Sequence, residues 1–291
     1  MNGRVVVGYT ANDSGADALA LATRIARASD ALLDVVMVLP SEAHNSTVPT
    51  DTGYERYLKG QSREWLAEAS ESLDDEDVEQ SLHVRYAESF AEGLIAAAHE
   101  FGATLIVVGA ARGGILGRSR IGSVANELLH SSDVPVALAP AGSRDVPVTQ
   151  GVSRITAAIG TRPGAEALLE ASVRIARATR APLRLVSLVP IDLPAGMDEG
   201  LVELTGTVHA DEVLLAARRE LPANLDATAV AGTGATIEEA VQGLDWHDGE
   251  LVLVGSSRLA TPHHLFLGST AAKMLRELPV PMIVVPRTTP S

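Results

Sequence analysis

Short apolar runs alternate with amphipathic stretches from one end of the chain to the other. Arg4 to Tyr9 (RVVVGY), Leu32 to Leu39, Leu82 to Tyr86, Thr104 to Gly109 and Val134 to Ala139 read as strands. Leu105 to Val108 is the β-branched run expected of a strand buried on both faces of a parallel sheet. Between the strands, Ser14 to Ser29 sets Leu19, Ala22, Ile25 and Ala26 at helical spacing, with Asp13 or Ser14 as N-cap. Further helices are predicted from about Tyr54 to Ser72, from Ser89 to Phe101 and from Gly122 to His130. The polar segment between Pro40 and Thr52 reads as a loop. The acidic run Asp74 to Glu79 would oppose a helix C-terminal dipole and reads as a solvated turn. Five strands alternating with four helices call for a parallel sheet with right-handed crossovers and helices on both faces.

The pattern then starts again. Gly142 to Val152 has no apolar period and is taken as a linker between a first domain, 1–141, and a second, 153–291. Arg154 to Gly160 (RITAAIG) answers the first strand, and Arg174 to Ala178 (RIARA) repeats Arg24 to Ala28 unchanged. Gly255 follows Gly109 by 146 places, and the same displacement carries Gly122-Ser123 onto Gly268-Ser269, Val134-Pro135 onto Val280-Pro281 and Pro140 onto Pro286. One offset serving four pairs is a duplication. The second half is expected to place strands at Leu183 to Leu188, Leu225 to Val230, Leu251 to Gly255 and Met282 to Val285.

Composition narrows the chemistry. At 291 residues there is room for two domains of ordinary size, and hydrophobic residues at 46% with aromatics at 3% suit helices packed on a Val- and Leu-rich sheet. The absence of cysteine excludes disulfides, thiolate metal sites and a cysteine nucleophile. No basic and apolar leader precedes the first strand, and no apolar run reaches the roughly 18 residues of a membrane span, so a cytoplasmic protein is expected. A net charge of −14 disfavours nucleic acid and anionic membranes as partners. Against that charge, the loop from Ala110 to Ile121 holds Arg112, Arg118 and Arg120 and no acid, and it runs into Gly122-Ser123 at a helix start. Free N–H groups and dipole there favour a small anion such as a phosphate. His263-His264 in the second loop has no acid nearby to complete a metal site, and none is expected. No nucleophile, base and orienting group stand together, so no catalytic residue is nominated.

These residues resemble the universal stress protein family in its tandem form, over nearly the whole chain. The resemblance implies two Rossmann-like domains, each a five-stranded parallel sheet of order 3-2-1-4-5 with helices on both faces. It also implies a nucleotide motif after the fourth strand: Gly, two residues, Gly, nine residues, then Gly-Ser or Gly-Thr. Gly109, Gly122 and Ser123 match it in the first half, and Gly255, Gly268 and Ser269 in the second. The middle glycine is replaced by Arg112 and Arg258, with Gly113 one place later in the first half only. The acid that binding members carry after the first strand is Thr10 in the first half and Gly160 in the second. With strand order reversing between strands one and four, a ligand would sit outside their carboxyl ends, beside Thr10 and Gly109, with Met37 and Val38 flanking an adenine ring.

The expected function is therefore a cytoplasmic stress-response sensor or regulator that binds ATP or a related adenine nucleotide. The alternatives are a nucleotide-free scaffold that offers surfaces to a partner, and an enzyme that transfers adenylate or hydrolyses ATP. The first half is expected to bind more tightly, having three loop arginines where the second has Arg258, and Thr10 where the second has Gly160. The two halves are expected to repeat one fold as separate sheets, a continuous sheet counting against it, and yet to pair their last strands into an internal pseudo-dimer. A homodimer of the whole chain is also expected.

Overall fold

In a computed structural model of the chain, the structure describes residues 3–41, 52–72, 77–112, 119–120, 122–160, 164–190, 199–257 and 265–287. The first half runs β1 (Arg4–Gly8), α1 (Asp13–Ser29), β2 (Leu32–Pro40), α2 (Thr52–Ser72), β3 (Gln80–Ala87), α3 (Phe90–Phe101) and β4 (Leu105–Gly109). A short ribbon follows, β5 (Ala111–Arg112) and β6 (Ser119–Arg120), then α4 (Ser123–Ser131) and β7 (Val136–Ala139). The second half repeats the series as β8 (Arg154–Ala158), α5 (Ala165–Thr179), β9 (Leu183–Pro190), α6 (Glu199–Arg219), β10 (Ala227–Gly234), α7 (Ile237–Gln242), β11 (Glu250–Gly255), α8 (Ser269–Glu277) and β12 (Met282–Val285).

Each half has its strands in the order expected, β3-β2-β1-β4-β7 and β10-β9-β8-β11-β12, all parallel within the half. The last strands meet antiparallel, with Ala137 opposite Ile283, and join everything into one ten-stranded sheet. Separate sheets and paired last strands exclude each other, and the pairing is what occurs. A continuous sheet therefore does not count against duplication here, because the strand order repeats within it. Edge N–H and C=O groups that water would otherwise solvate are satisfied by the duplicate.

Side chains alternate across the sheet with the two-residue period of a strand. Val5, Val7, Leu33 and Val35 face a core covered by α1, α2, α5 and α6, while Val6, Val36, Ile106 and Val108 face a second core covered by α3, α4, α7 and α8. Both layers run across the two halves, so the apolar burial that stabilises one half continues into the other.

Two buried charges are answered locally. Asp34 on β2, fully buried, accepts from Arg4 Nε at 2.9 Å and Nη2 at 2.7 Å, with His83 Nε2 at 2.9 Å. Glu250 on β11, also fully buried, accepts from Nη2 of Arg154 and of Arg184 at 2.7 Å each, and from the Thr156 hydroxyl. Burial lowers the Arg184 pKa, and the Glu250 carboxylate works against that shift.

Several local expectations need correction. The N-cap of α1 is Asn12, whose extended backbone lets its side chain accept from Gly15 N at 3.0 Å; Asp13 and Ser14 are already helical. β10 begins at Ala227 and runs to Gly234, later than expected, because it pairs with β9 over that whole length. Of the acidic run, Asp77 pairs with Arg27 at 2.9 Å, and residues 74–76 lie outside the described residues. The linker is not a loose tether. It forms 3₁₀ turns at Ser143–Asp145 and Val148–Gln150, and Asp17 of α1, 1% exposed, accepts from the backbone N–H of Gly142 at 3.1 Å and of Arg144 at 3.2 Å.

Candidate functional site

The strand order reverses between β1 and β4 and again between β8 and β11, so each half has one switch point where neighbouring crossovers leave on opposite faces. At the second of these a cleft of about 320 Å³ opens among the described residues. Its floor is the carboxyl ends of β8 and β11, Ile159-Gly160 and Gly255 to Ser257, and one wall is the start of α8 at Gly268 and Thr270. Val186, Ser187 and Leu188 from the end of β9 supply the opposite wall. No Asp or Glu is among the described lining residues. Gly268 at the N-cap of α8 has no side chain with which to cap the helix, so among the described residues the first N–H groups of that nine-residue helix are left for solvent or a ligand. A Cβ on Gly160 would meet nothing within 4 Å, and one on Gly255 would come no nearer than 3.9 Å, to Leu168.

The loop end beside this helix is held by its own hydroxyls. Phe266 N donates to Ser256 Oγ at 2.8 Å and Ser257 N donates to Phe266 O at 2.7 Å, which sets the Ser257 side chain 3.3 Å from where a Cβ on Gly268 would stand. The same return reaches the other half. Leu265 N donates to Ser132 O at 2.9 Å, and the Phe266 ring meets His130 edge-on at 5.0 Å.

The first switch point is built differently. A Cβ on Gly109 would lie 2.1 Å from the carbonyl oxygen of Ser14, and the Ser14 hydroxyl donates to Ala110 O at 3.2 Å. The start of α1 thus occupies the space that the glycine leaves, so Gly109 serves helix packing there. Thr10 donates its hydroxyl to Asn12 Oδ1 at 3.0 Å, which commits that proton to the helix cap. Met37 and Val38 are 4% and 8% exposed and face opposite cores. Val38 lies under Gly93 of α3, where a Cβ would come within 2.6 Å of its Cγ1. Their counterparts 150 places on, Ser187 and Leu188, line the cleft of the second half.

Gly122 caps α4 as Gly268 caps α8, and Ser123 and Ser269 are both exposed first residues of their helices. The basic loop is partly a ribbon, with Ala111 opposite Arg120 and Arg112 opposite Ser119, and β6 lies against α8 of the other half. That strand of the loop is therefore directed across the pseudo-symmetry axis. Gly113, Arg118, Arg258 and the pair His263-His264 lie outside the described residues.

Tyr9 marks a further difference between the halves. Burial, with the Glu68 carboxylate of α2 adding to it, raises the phenol pKa above its ordinary value. Ser187, Ser256, Ser257, Thr270 and His209 line the second cleft and were not singled out by motif. Their signal lies in the repeat itself, since Ser256-Ser257 stand where the first half has Ala110-Ala111. Among the described residues no group of three or more His, Asp or Glu could hold a metal, and no helix is long and apolar enough to cross a membrane.

Fold and site together define a duplicated, doubly wound α/β protein with a cleft at a topological switch point. The chain belongs to the universal stress protein family, whose model matches residues 1–140 and again 151–286. It is 29% identical to universal stress protein Rv2319c of Mycobacterium tuberculosis (strain ATCC 25618 / H37Rv), over 97% of this chain and 99% of that one. The same identity and coverage relate it to universal stress protein Mb2346c of Mycobacterium bovis. Among solved structures, a universal stress protein from Archaeoglobus fulgidus DSM 4304 superposes with a TM-score of 0.70 at 16% identity, over 98% of each chain. A putative universal stress protein from Pseudomonas aeruginosa UCBPP-PA14 gives 0.59 at 16%, over 98% of this chain and 93% of that one. At such identities the structural likeness bears on the fold.

Proposed function

We propose that the protein is a stress-response sensor or regulator, of two domains at 1–141 and 153–291, that binds ATP or a related adenine nucleotide in the cleft of its second half. The observation that carries this reading is the open, acid-free space between Gly160, Gly255 and the uncapped start of α8. Its volume lies at the small end of the range for small-molecule pockets. Helix N–H groups at Gly268-Ser269 and the hydroxyl of Thr270 suit phosphate, and the apolar ends of β8 and β9 suit a base.

This order of the two halves reverses the one drawn from loop charge. Arginines on a loop give long-range attraction, but a ligand also needs unoccupied volume, and at Gly109 that volume is taken by Ser14. Calorimetric titration of the intact protein with ATP and AMP tests the reading. Binding is expected to disappear in Gly268→Val/Ser269→Ala and to persist in Gly122→Val/Ser123→Ala. Loss in the second variant alone would return the site to the first half, and no binding by the parent protein would favour a nucleotide-free scaffold.

A further inference from the structure

The second-half cleft does not end at the base. Ile159, Gly160, Ala165 and Val213 also line a larger groove, about 940 Å³, that runs on between α5 and α6. Leu169, Val173, Val213 and Ala217 make its apolar floor, while charged side chains such as Arg174 and Glu220 stand along its length. The groove lies on the α5 and α6 face of the sheet, whereas α8 packs on the other face. It is therefore reached from the end of the cleft away from the phosphate-binding groups.

The first half carries larger side chains at the matching positions. Aligning the buried positions Ser62 and Leu66 of α2 with Ala210 and Leu214 of α6, a displacement of 148, places Trp65 on Val213 and Glu68 on Ala216. Tyr9 stands 150 places before Ile159. Tyr9 and Trp65 pack against the first-half core, and Tyr9 feels the Glu68 carboxylate of α2. Their replacement by Ile159 and Val213, both of which line the groove, removes ring volume at the matching positions.

Resting on the nucleotide reading above, we propose that the second half takes an adenine nucleotide bearing a bulky apolar substituent on the base, such as an N6-aryl or N6-alkyl group, with the substituent in the groove between α5 and α6. With phosphate held at α8, the purine edge remote from the sugar points to the shared residues Ile159 and Val213. A ring placed there regains the apolar contact that Tyr9 and Trp65 make in the first half.

The experiment is calorimetric titration of the full chain with AMP and with N6-benzyl-AMP, repeated on Ala216→Trp. Ala216 is an exposed helical position that lines the groove and not the cleft. The benzyl compound is expected to bind about tenfold or more tightly than AMP, the gain of burying one aryl group less its ordering cost. Ala216→Trp is expected to abolish that gain and leave AMP affinity as it was. AMP binding with no benzyl advantage overturns the groove assignment while the nucleotide reading stands; no binding of either ligand overturns both. A benzyl advantage that survives Ala216→Trp places the substituent elsewhere. A change in mass by light scattering for Ala216→Trp would assign the groove to a second copy of the chain and also overturn the proposal.

Discussion

Gly109 and Gly255 are the same residue in the same motif, yet one is pressed against a helix and the other borders open space. The distances of 2.1 Å and 3.9 Å from a notional Cβ to its nearest neighbour make the contrast testable. Gly109→Ala forces backbone of α1 to move and is expected to lower stability by about 1–3 kcal/mol. Gly255→Ala meets ordinary van der Waals contact and is expected to stay within about 0.5 kcal/mol of the parent. Urea denaturation of the two variants beside the parent measures both, and equal losses would show that the halves are built alike at this point. The repeated pentapeptide RIARA makes the same point in reverse. Arg24 is 1% exposed, its Nε and Nη1 have no hydrogen-bond partner among the described residues, and burial lowers its pKa, whereas Arg174 is exposed.

Elements that match between halves have changed their charges in compensation. Position 34 on β2 is a buried aspartate and its counterpart 184 on β9 is a buried arginine. The first is answered by Arg4 from β1, the second by Glu250 at the start of β11, where the first half has Thr104. Buried charge persists only when paired, so a change of sign on one strand requires a partner on a neighbour. The linker is an element in the same sense, because its first turn is tied to α1 by one carboxylate. Asp17→Ala removes the acceptor for two backbone N–H groups and is expected to cost about 1–3 kcal/mol. Hydrogen exchange at Gly142 and Arg144 should quicken in that variant, and unchanged protection at both amides would show that the turns hold without Asp17.

At the scale of the molecule, the antiparallel meeting of β7 and β12 fuses two sheets and two pairs of helical layers. Leu265 and Phe266 bind across to the first half, and β6 lies on α8 of the second. With the core continuous over the junction, the chain is expected to unfold in one calorimetric transition with calorimetric and van't Hoff enthalpies equal. Two resolved transitions would mean that the halves are independent domains held only by their linker.

The sequence by itself determined the duplication, the parallel order of elements and the pairing of the last strands. The duplication and the parallel sheet follow from local patterning repeated at a fixed displacement, while the edge position of the last strands follows from the strand order that the family resemblance implies, together with the need of edge groups for partners. The sequence placed Gly109 and Gly255 at strand ends and Gly122 and Gly268 at helix starts because strand exits and helix N-termini are written in a few neighbouring residues, though the cap of α1 fell one residue earlier than expected. Only the tertiary structure decided how each switch point is packed. That depends on how far Ser14 approaches Gly109, on whether an aromatic ring or a Val fills the gap beside the sheet, and on which half the ribbon at Arg120 lies against. These are contacts between residues about 50 to 150 positions apart in sequence, set by packing volume rather than by any pattern along the chain.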